Sequence, residues 1–243
     1  MRVVLLAAGQ ATRLRPLTDT LPKCLIDVGG ASIIARGIRI LVDHGIQRFT
    51  IVDGFMGDLL RERLLAEFPA AWFLFVRNLE YATTNNAYSL MLARYACDEP
   101  MLLSDADILY EPQVITRLLQ DPRPNRLALR TRGGLGDEEM KVVLDGAGRV
   151  RNVAKNVPPA TAVGESVGLE VFSPEFAAKL FDTLDRRMLA EQRINEWYEA
   201  TFVELIERGE SIHPVDLGDL ACMEVDTLED LGRAREIFAL TGR

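Results

Sequence analysis

Little in the chain invites covalent or redox chemistry. Of 243 residues, three are cysteine and two are histidine. Cys24, Cys97 and Cys222 are odd in number, far apart and without a C-x-x-C spacing. That pattern excludes a disulfide framework and a cysteine zinc site, and it suits a reducing cytoplasm. His44 and His213 are equally isolated. No apolar run approaches the roughly 18 residues that would span a bilayer. The opening MRVVLLAAG is too short for a secretory signal before it meets charged sequence, so the protein is read as cytoplasmic and starting at Met1. Positive charge is in deficit: 28 Lys and Arg face 36 Asp and Glu, a net charge of -8. This argues against a broad nucleic-acid or anionic-membrane surface, so any anion site must be local. A Walker-A Gly-Lys-Ser/Thr is absent too, which rules out an ordinary phosphate loop.

Repeats, low-complexity tracts and linkers are also missing. What is present is 48% hydrophobic residues over a length that supports one large core. Short apolar runs at Val3 to Leu6, Phe49 to Val52, Trp72 to Val76 and Met101 to Leu103 read as buried strands. Helical spacing separates them, over Ser32 to His44 and Asp58 to Phe68. Alternation of this kind predicts an α/β fold, a mostly parallel sheet with helices on both faces and ligands at the carboxyl ends of the strands. In the middle, RLALRTR, KVVLDGAGRVRNVAK and SVGLEVF read as extended segments joined by Gly-rich turns, an antiparallel insertion or lobe. Helical patterns return over Pro174 to Arg187, Asn195 to Arg208 and Thr227 to Leu240.

The stretch LLAAGQATRLRPLTDTLPKCLIDVGG follows the first strand. Ala7, Ala8 and Gly9 expose bare backbone whose N–H groups can cradle a nucleotide. Arg13 and Arg15 add fork-shaped donors suited to phosphate, and Lys23, between Pro22 and Cys24, adds a mobile point charge. The stretch resembles the signature L-A-A-G-x-G-T-R-L-x-P-L-T, followed by P-K-x-L, of the nucleotidyltransferase superfamily that makes activated sugars and alcohols. The resemblance implies a Rossmann-like, GT-A-like fold. It also implies that Leu6, Ala7, Ala8 and Gly9 hold base and phosphates, that Arg13 contacts the outer phosphates and that Lys23 stabilises charge on the α-phosphate. Ala11 stands where that superfamily commonly has Gly, which carries a cost if the backbone there has positive φ.

Carboxylates follow the same logic. MLLSDADILYEP ends a strand and sets Asp105 and Asp107 on one side of an extended segment. In MEVDTLEDL, Asp226 stands where a strand gives way to a helix, a place suited equally to capping the helix and to holding a cation. The superfamily has a metal-binding Asp at both points. The resemblance therefore implies Mg²⁺ on Asp107 and Asp226, with Asp105 as a neighbouring or ribose partner. Asn85 and Asn86 precede a helix, where they can cap it or meet a pyrimidine edge. The segment NNAYSL, with Ser89, resembles the N-N-x-Y-S-L of CTP:phosphocholine cytidylyltransferases and related CTP-dependent enzymes.

On the acceptor side the candidates are Lys155 for a phosphate, and Trp197 and Tyr198 with Glu199 for a quaternary ammonium or a polyol. Glu165 and Glu170 are further candidates. Aromatics at helical spacing also suit a core. The sequence thus reads as one domain, 1–243, with a nucleotide-binding core over about 1–125, an acceptor-side lobe over about 126–225 and a closing helix over 226–243. The expected activity is Mg²⁺-dependent transfer of CMP from CTP to a small phosphorylated alcohol, with pyrophosphate released. A sugar-1-phosphate nucleotidyltransferase using another nucleoside triphosphate and a non-catalytic nucleotide sensor are the alternatives.

Overall fold

A computed structural model describes residues 1–96 and 98–238. Cys97 and the last turn expected for the closing helix, at Leu240, lie outside the described residues. Strand and helix alternate through the first half: β1 (Arg2–Ala7), α1 (Ile33–Asp43), β2 (Phe49–Asp53), α2 (Gly57–Glu67), β3 (Phe73–Arg77), α3 (Asn86–Leu92) and β4 (Met101–Asp105). β1 pairs in parallel with both β2 and β4, and β2 with β3. Trp72 falls in a short 3-10 turn that leads into β3 rather than in the strand itself.

Uninterrupted apolar runs are what such strands need, because both faces are buried. Val3 and Leu5 join a core with Ile34, Ile38 and Leu41 of α1, while Val4 and Leu6 join another with Leu90 of α3. Alternate residues of one strand thus hold helices on opposite faces, at about 1.5–3 kcal/mol for each large aliphatic side chain taken from water. Ser32 caps α1 by accepting from the Ala35 N–H at 3.3 Å, which fixes where that helix begins.

The second half runs β5 (Ile108–Tyr110), α4 (Pro112–Gln120), β6 (Arg126–Arg130), β7 (Met140–Leu144), β8 (Val150–Ala154), β9 (Gly164–Phe172), α5 (Pro174–Asp185), α6 (Glu199–Glu207), β10 (His213–Asp216), β11 (Cys222–Glu224) and α7 (Leu228–Phe238). The main sheet has the order β10-β6-β9-β4-β1-β2-β3. β9 runs antiparallel to β4, β6 and β7, and β7 turns back on β8 as a hairpin. Residues 126–225 therefore do two things: β6, β9 and β10 complete the main sheet, and β7 with β8 adds an antiparallel extension. β11 and β5 form a separate antiparallel pair.

A third core joins Leu14 and Ile26 from the opening stretch and Ile33 of α1 to Leu109 of β5, Met223 of β11 and Leu231 of α7. It pins the loop after β1 against β11 and α7, and this brings the expected phosphate and metal residues together. One helix differs from its pattern. α6 starts at Glu199, not Asn195, because the Ile194 and Asn195 carbonyls and the Tyr198 N–H bond across to Asn85 and Asn86 instead of within a helix. Among the described residues no helix is long and apolar enough to cross a membrane.

Candidate active site

β1 delivers the loop to the carboxyl edge of the sheet. The Leu6 carbonyl accepts from the Ala106 N–H at 3.1 Å, and the Ala8 carbonyl accepts from the Phe55 N–H at 3.1 Å. Gly9 faces open space, with nothing within 4 Å of where a Cβ would stand. Ala11 adopts the left-handed conformation, φ 47° and ψ 52°, which costs an L-residue about 1–2 kcal/mol. It is held there by the Thr18 hydroxyl, which donates to the Ala11 carbonyl at 2.8 Å. The position where the superfamily signature has Gly is thus one where Gly fits the backbone.

Beyond this turn the charges form one connected chain. Lys23 Nζ contacts Asp107 Oδ2 and lies 2.6 Å from Asp226 Oδ1. Arg13 Nη2 lies 2.7 Å from Asp226 Oδ2. Glu138 Oε2 then bridges Arg13 Nη1, at 3.6 Å, to Lys155 Nζ, at 3.1 Å. Burial alone would lower the Lys23 pKa, but Asp107 and Asp226 outweigh it and hold the ammonium well above its usual range. Burial likewise opposes the Asp226 charge, and Lys23 and Arg13 override it and hold the carboxyl low. Thr227, not Asp226, caps α7: its hydroxyl accepts from the Asp230 N–H at 3.1 Å, and Asp230 Oδ2 accepts from the Thr227 N–H at 2.9 Å. Both oxygens of Asp226 are left for the cations.

Asp105 and Asp107 are not two positions of one strand. β4 ends at Asp105, and a turn at Ala106 and Asp107 intervenes before β5. Asp107 meets Lys23, whereas Asp105 accepts from the Tyr198 hydroxyl at 3.1 Å. Asp105 opens onto a cleft of about 480 Å³ whose walls include Arg13, Asn86, Lys155, Glu165, Trp197, Glu199 and Asp226. The cleft is rich in carboxylates with few partners. Glu165 Oε2 and Glu199 Oε2 are buried without a hydrogen bond, as is Glu170 Oε2 behind them. Burial pushes the Glu199 carboxyl up to about 7. Burial, then the neighbouring Asp107, Glu224, Glu199 and Glu170, hold Asp105 well above its ordinary value. Glu165 is raised by burial as well, with Arg130 at 2.6 Å pulling the other way.

Several expected residues have other work. Tyr198 is fully buried, its ring 5.2 Å from that of Phe202, whereas Trp197 is 42% exposed in the cleft. Lys155 Nζ stands 4.9 Å over the Trp197 ring. The adjacent aromatics therefore divide between core and site. Ser89 is buried and accepts from Asn78 Nδ2 at 3.0 Å, and Glu170 is fully buried with Oε1 accepting from the Ser166 hydroxyl at 3.2 Å. Neither lines the cleft. Asn85 is the cap of α3, its Oδ1 accepting from the Asn86 N–H at 2.8 Å.

Cleft residues not expected from the sequence include Arg130, Glu138, Glu139, Glu224, Asp230 and Arg233. Glu224 had a signal: it precedes Asp226 by two in an extended stretch, so the same alternation that singles out Asp226 includes it. Glu138 sits in a loop with no period to betray it.

Residues 3–238 match the model of the MobA-like NTP transferase domain. A 2-aminoethylphosphonate cytidylyltransferase from Lancefieldella rimae is 30% identical over 94% of this chain and 89% of that protein. A CMP-5'-(3-aminopropyl)phosphonate synthase from Streptomyces rubellomurinus is 29% identical over 96% of this chain, which spans 38% of that protein's length. The solved structure of CTP:phosphocholine cytidylyltransferase from Streptococcus pneumoniae shares the fold, with a TM-score of 0.79 at 20% identity over 98% of each chain. With its family model covering nearly the whole chain, the protein belongs to the MobA-like NTP transferase domain family and is a nucleotidyltransferase.

Proposed function

We propose that the chain transfers CMP from CTP to a small acceptor bearing a phosphate or phosphonate at one end and an ammonium at the other, releasing pyrophosphate. The observation that carries this reading is the chain of charges at the sheet edge, in which Lys23 spans Asp107 and Asp226 beside Arg13. An acceptor oxygen attacks the α-phosphorus, a new P–O bond forms and the bond to the β-phosphate bridging oxygen breaks in line. No protein nucleophile takes part. Lys23 stabilises negative charge at the α-phosphate, Arg13 stabilises the leaving pyrophosphate and Lys155 holds the acceptor's phosphorus end.

The donor set suits Mg²⁺. Asp107 Oδ1 is buried without a hydrogen bond, and its other oxygen and both of Asp226 are held by cationic side chains alone. Among the described residues no group of three or more His, Cys, Asp or Glu forms a ready metal cage. Mg²⁺ is ordinarily bound by one or two carboxylates together with substrate phosphates. When bound by Asp107 and Asp226, it would supply neutralisation of phosphate charge.

Two features support an ammonium-bearing acceptor. Asp105, Glu165, Glu199 and Glu224 all line the cleft, and buried carboxylates with so little cationic partnering, Arg130 on Glu165 apart, are stabilised by an incoming cation. The two relatives described above are named for aminoalkyl phosphonates. The test is pyrophosphate release in Mg²⁺ with CTP, UTP, GTP or dTTP against aminoalkyl phosphonates, phosphocholine, inositol phosphate and sugar 1-phosphates. Turnover confined to CTP and an amine-bearing acceptor is expected. Turnover with a sugar 1-phosphate and another nucleotide would overturn the reading.

A further inference from the structure

We infer that Asn86, with Asn85, is a clasp that positions the acceptor wall rather than a reader of the nucleotide base. The inference rests on the division into nucleotide and acceptor sides proposed above. The Asn85 N–H donates to the Ile194 carbonyl at 2.9 Å, Asn85 Nδ2 to the Asn195 carbonyl at 3.3 Å, and the Tyr198 N–H to Asn86 Oδ1 at 3.1 Å. The oxygen of each amide already accepts a backbone N–H, since Asn85 Oδ1 takes that of Asn86.

These three bonds keep residues 194–198 out of the helix that follows them. The stretch runs as turns and irregular chain, and its two neighbouring aromatics point in different directions, Trp197 into the cleft and Tyr198 into the core. From the core the Tyr198 hydroxyl reaches Asp105 at 3.1 Å. One side-chain oxygen at the start of α3 thus sets both Trp197 and, through Tyr198, the carboxylate at the end of β4. Asn86 acts on the acceptor through these two residues, as a positioning residue.

Two substitutions separate this role from base reading. Asn86→Ala removes the oxygen that accepts from Tyr198. Asn86→Asp keeps that oxygen and removes the amide donor. The clasp predicts that Asn86→Ala raises the KM for the acceptor by about five- to tenfold, the loss of one hydrogen bond in a partly buried setting, while the KM for CTP and the preference for CTP over UTP stay at the parent's. Asn86→Asp should restore the parent's acceptor KM. Base reading predicts the reverse, with CTP preference lost in Asn86→Asp and the acceptor KM unmoved.

A second measurement needs no turnover. The chain has two tryptophans, Trp72 and Trp197, so in a Trp72→Phe background the emission comes from Trp197 alone. Asn86→Ala should then red-shift the emission and increase acrylamide quenching, whereas Asn86→Asp should match the parent. If the parent releases no pyrophosphate from CTP with any acceptor, the proposed function falls and quenching still decides the clasp. Trp197 quenching unchanged in Asn86→Ala would overturn it.

Discussion

The two ends of the site share one sheet edge and differ in how their charge is balanced. At the phosphate end, Lys23, Arg13 and Lys155 alternate with Asp107, Asp226 and Glu138, and each cation has a carboxylate partner. At the acceptor end, Asp105, Glu165 and Glu199 line the cleft with Glu170 buried behind them, and the three glutamates each keep a buried oxygen without a hydrogen bond. An interlocked group is stable when empty and must be opened by ligand. A group only partly compensated, by Arg130 on Glu165 and hydroxyls on Asp105 and Glu170, is costly when empty and is relieved by ligand. The contrast teaches that the same fold can store binding energy on one side and an entry barrier on the other.

The sharpest way to break the comparison is at Lys23. Lys23→Ala should lower kcat by about 10²–10³-fold, the scale for losing one donor to developing charge. Thermal stability should change less, because Asp226 keeps Arg13 and the carboxylates of Asp107 and Asp226, 22% and 28% exposed, can be rehydrated. A steady-state assay paired with a melting curve checks both. Equal loss of activity and stability would make Lys23 a structural residue.

Next in size is Glu199→Gln, which should raise the acceptor KM about tenfold and leave the KM for CTP near the parent's. Its pH dependence follows from the carboxyl held at about 7 against an ordinary 4.5. Between those values the folded state binds more protons than the unfolded state, so this group's contribution to stability falls as pH rises from 4.5 to 7 and is flat above. Glu199→Gln should therefore gain in Tm over the parent across that window. Over the same window, acceptor kcat/KM in the parent should rise as Glu199 ionises to meet an ammonium. A flat profile in both would remove Glu199 from the acceptor end.

A smaller effect is expected of Glu138→Ala, which frees Arg13 and Lys155 from a partner that is mostly exposed. Exposed ion pairs are worth about 0.2–1 kcal/mol, so the KM values for both substrates should fall by at most about fivefold, with kcat unchanged. Smallest is Ala11→Gly. Relief of a left-handed Ala should add about 1 kcal/mol to stability, less the flexibility Gly gives the unfolded chain, and a melting curve will show a rise of a few degrees.

That Lys23, Asp107 and Asp226 share one site was an expectation drawn from the resemblance to the superfamily signature, whereas their direct contact with one another was not legible in the sequence. The parallel strands were legible, since burial on both faces leaves an unbroken apolar signature. The fate of Trp197 and Tyr198 was not. Their helical spacing is real, but the start of α6 is decided by bonds to Asn85 and Asn86, more than a hundred residues earlier in the chain. Ser89 belongs to a motif of resemblance, and its side chain serves Asn78. Glu138 and Arg130 became visible only when a loop and a strand end were folded over the cleft.

The pairing of β11 with β5 sets a clock on the site. Lys23 and Asp226 are 203 positions apart, and their bond forms only when Cys222 to Glu224 lie against Ile108 to Tyr110. On a ribosome adding about 5–20 residues per second, the strands through β4 can assemble while Lys23 and Asp107 still await their third member. A nascent chain can therefore own much of its core before it owns its charge cluster, so that competence for chemistry waits on the segment that carries β11 and Asp226.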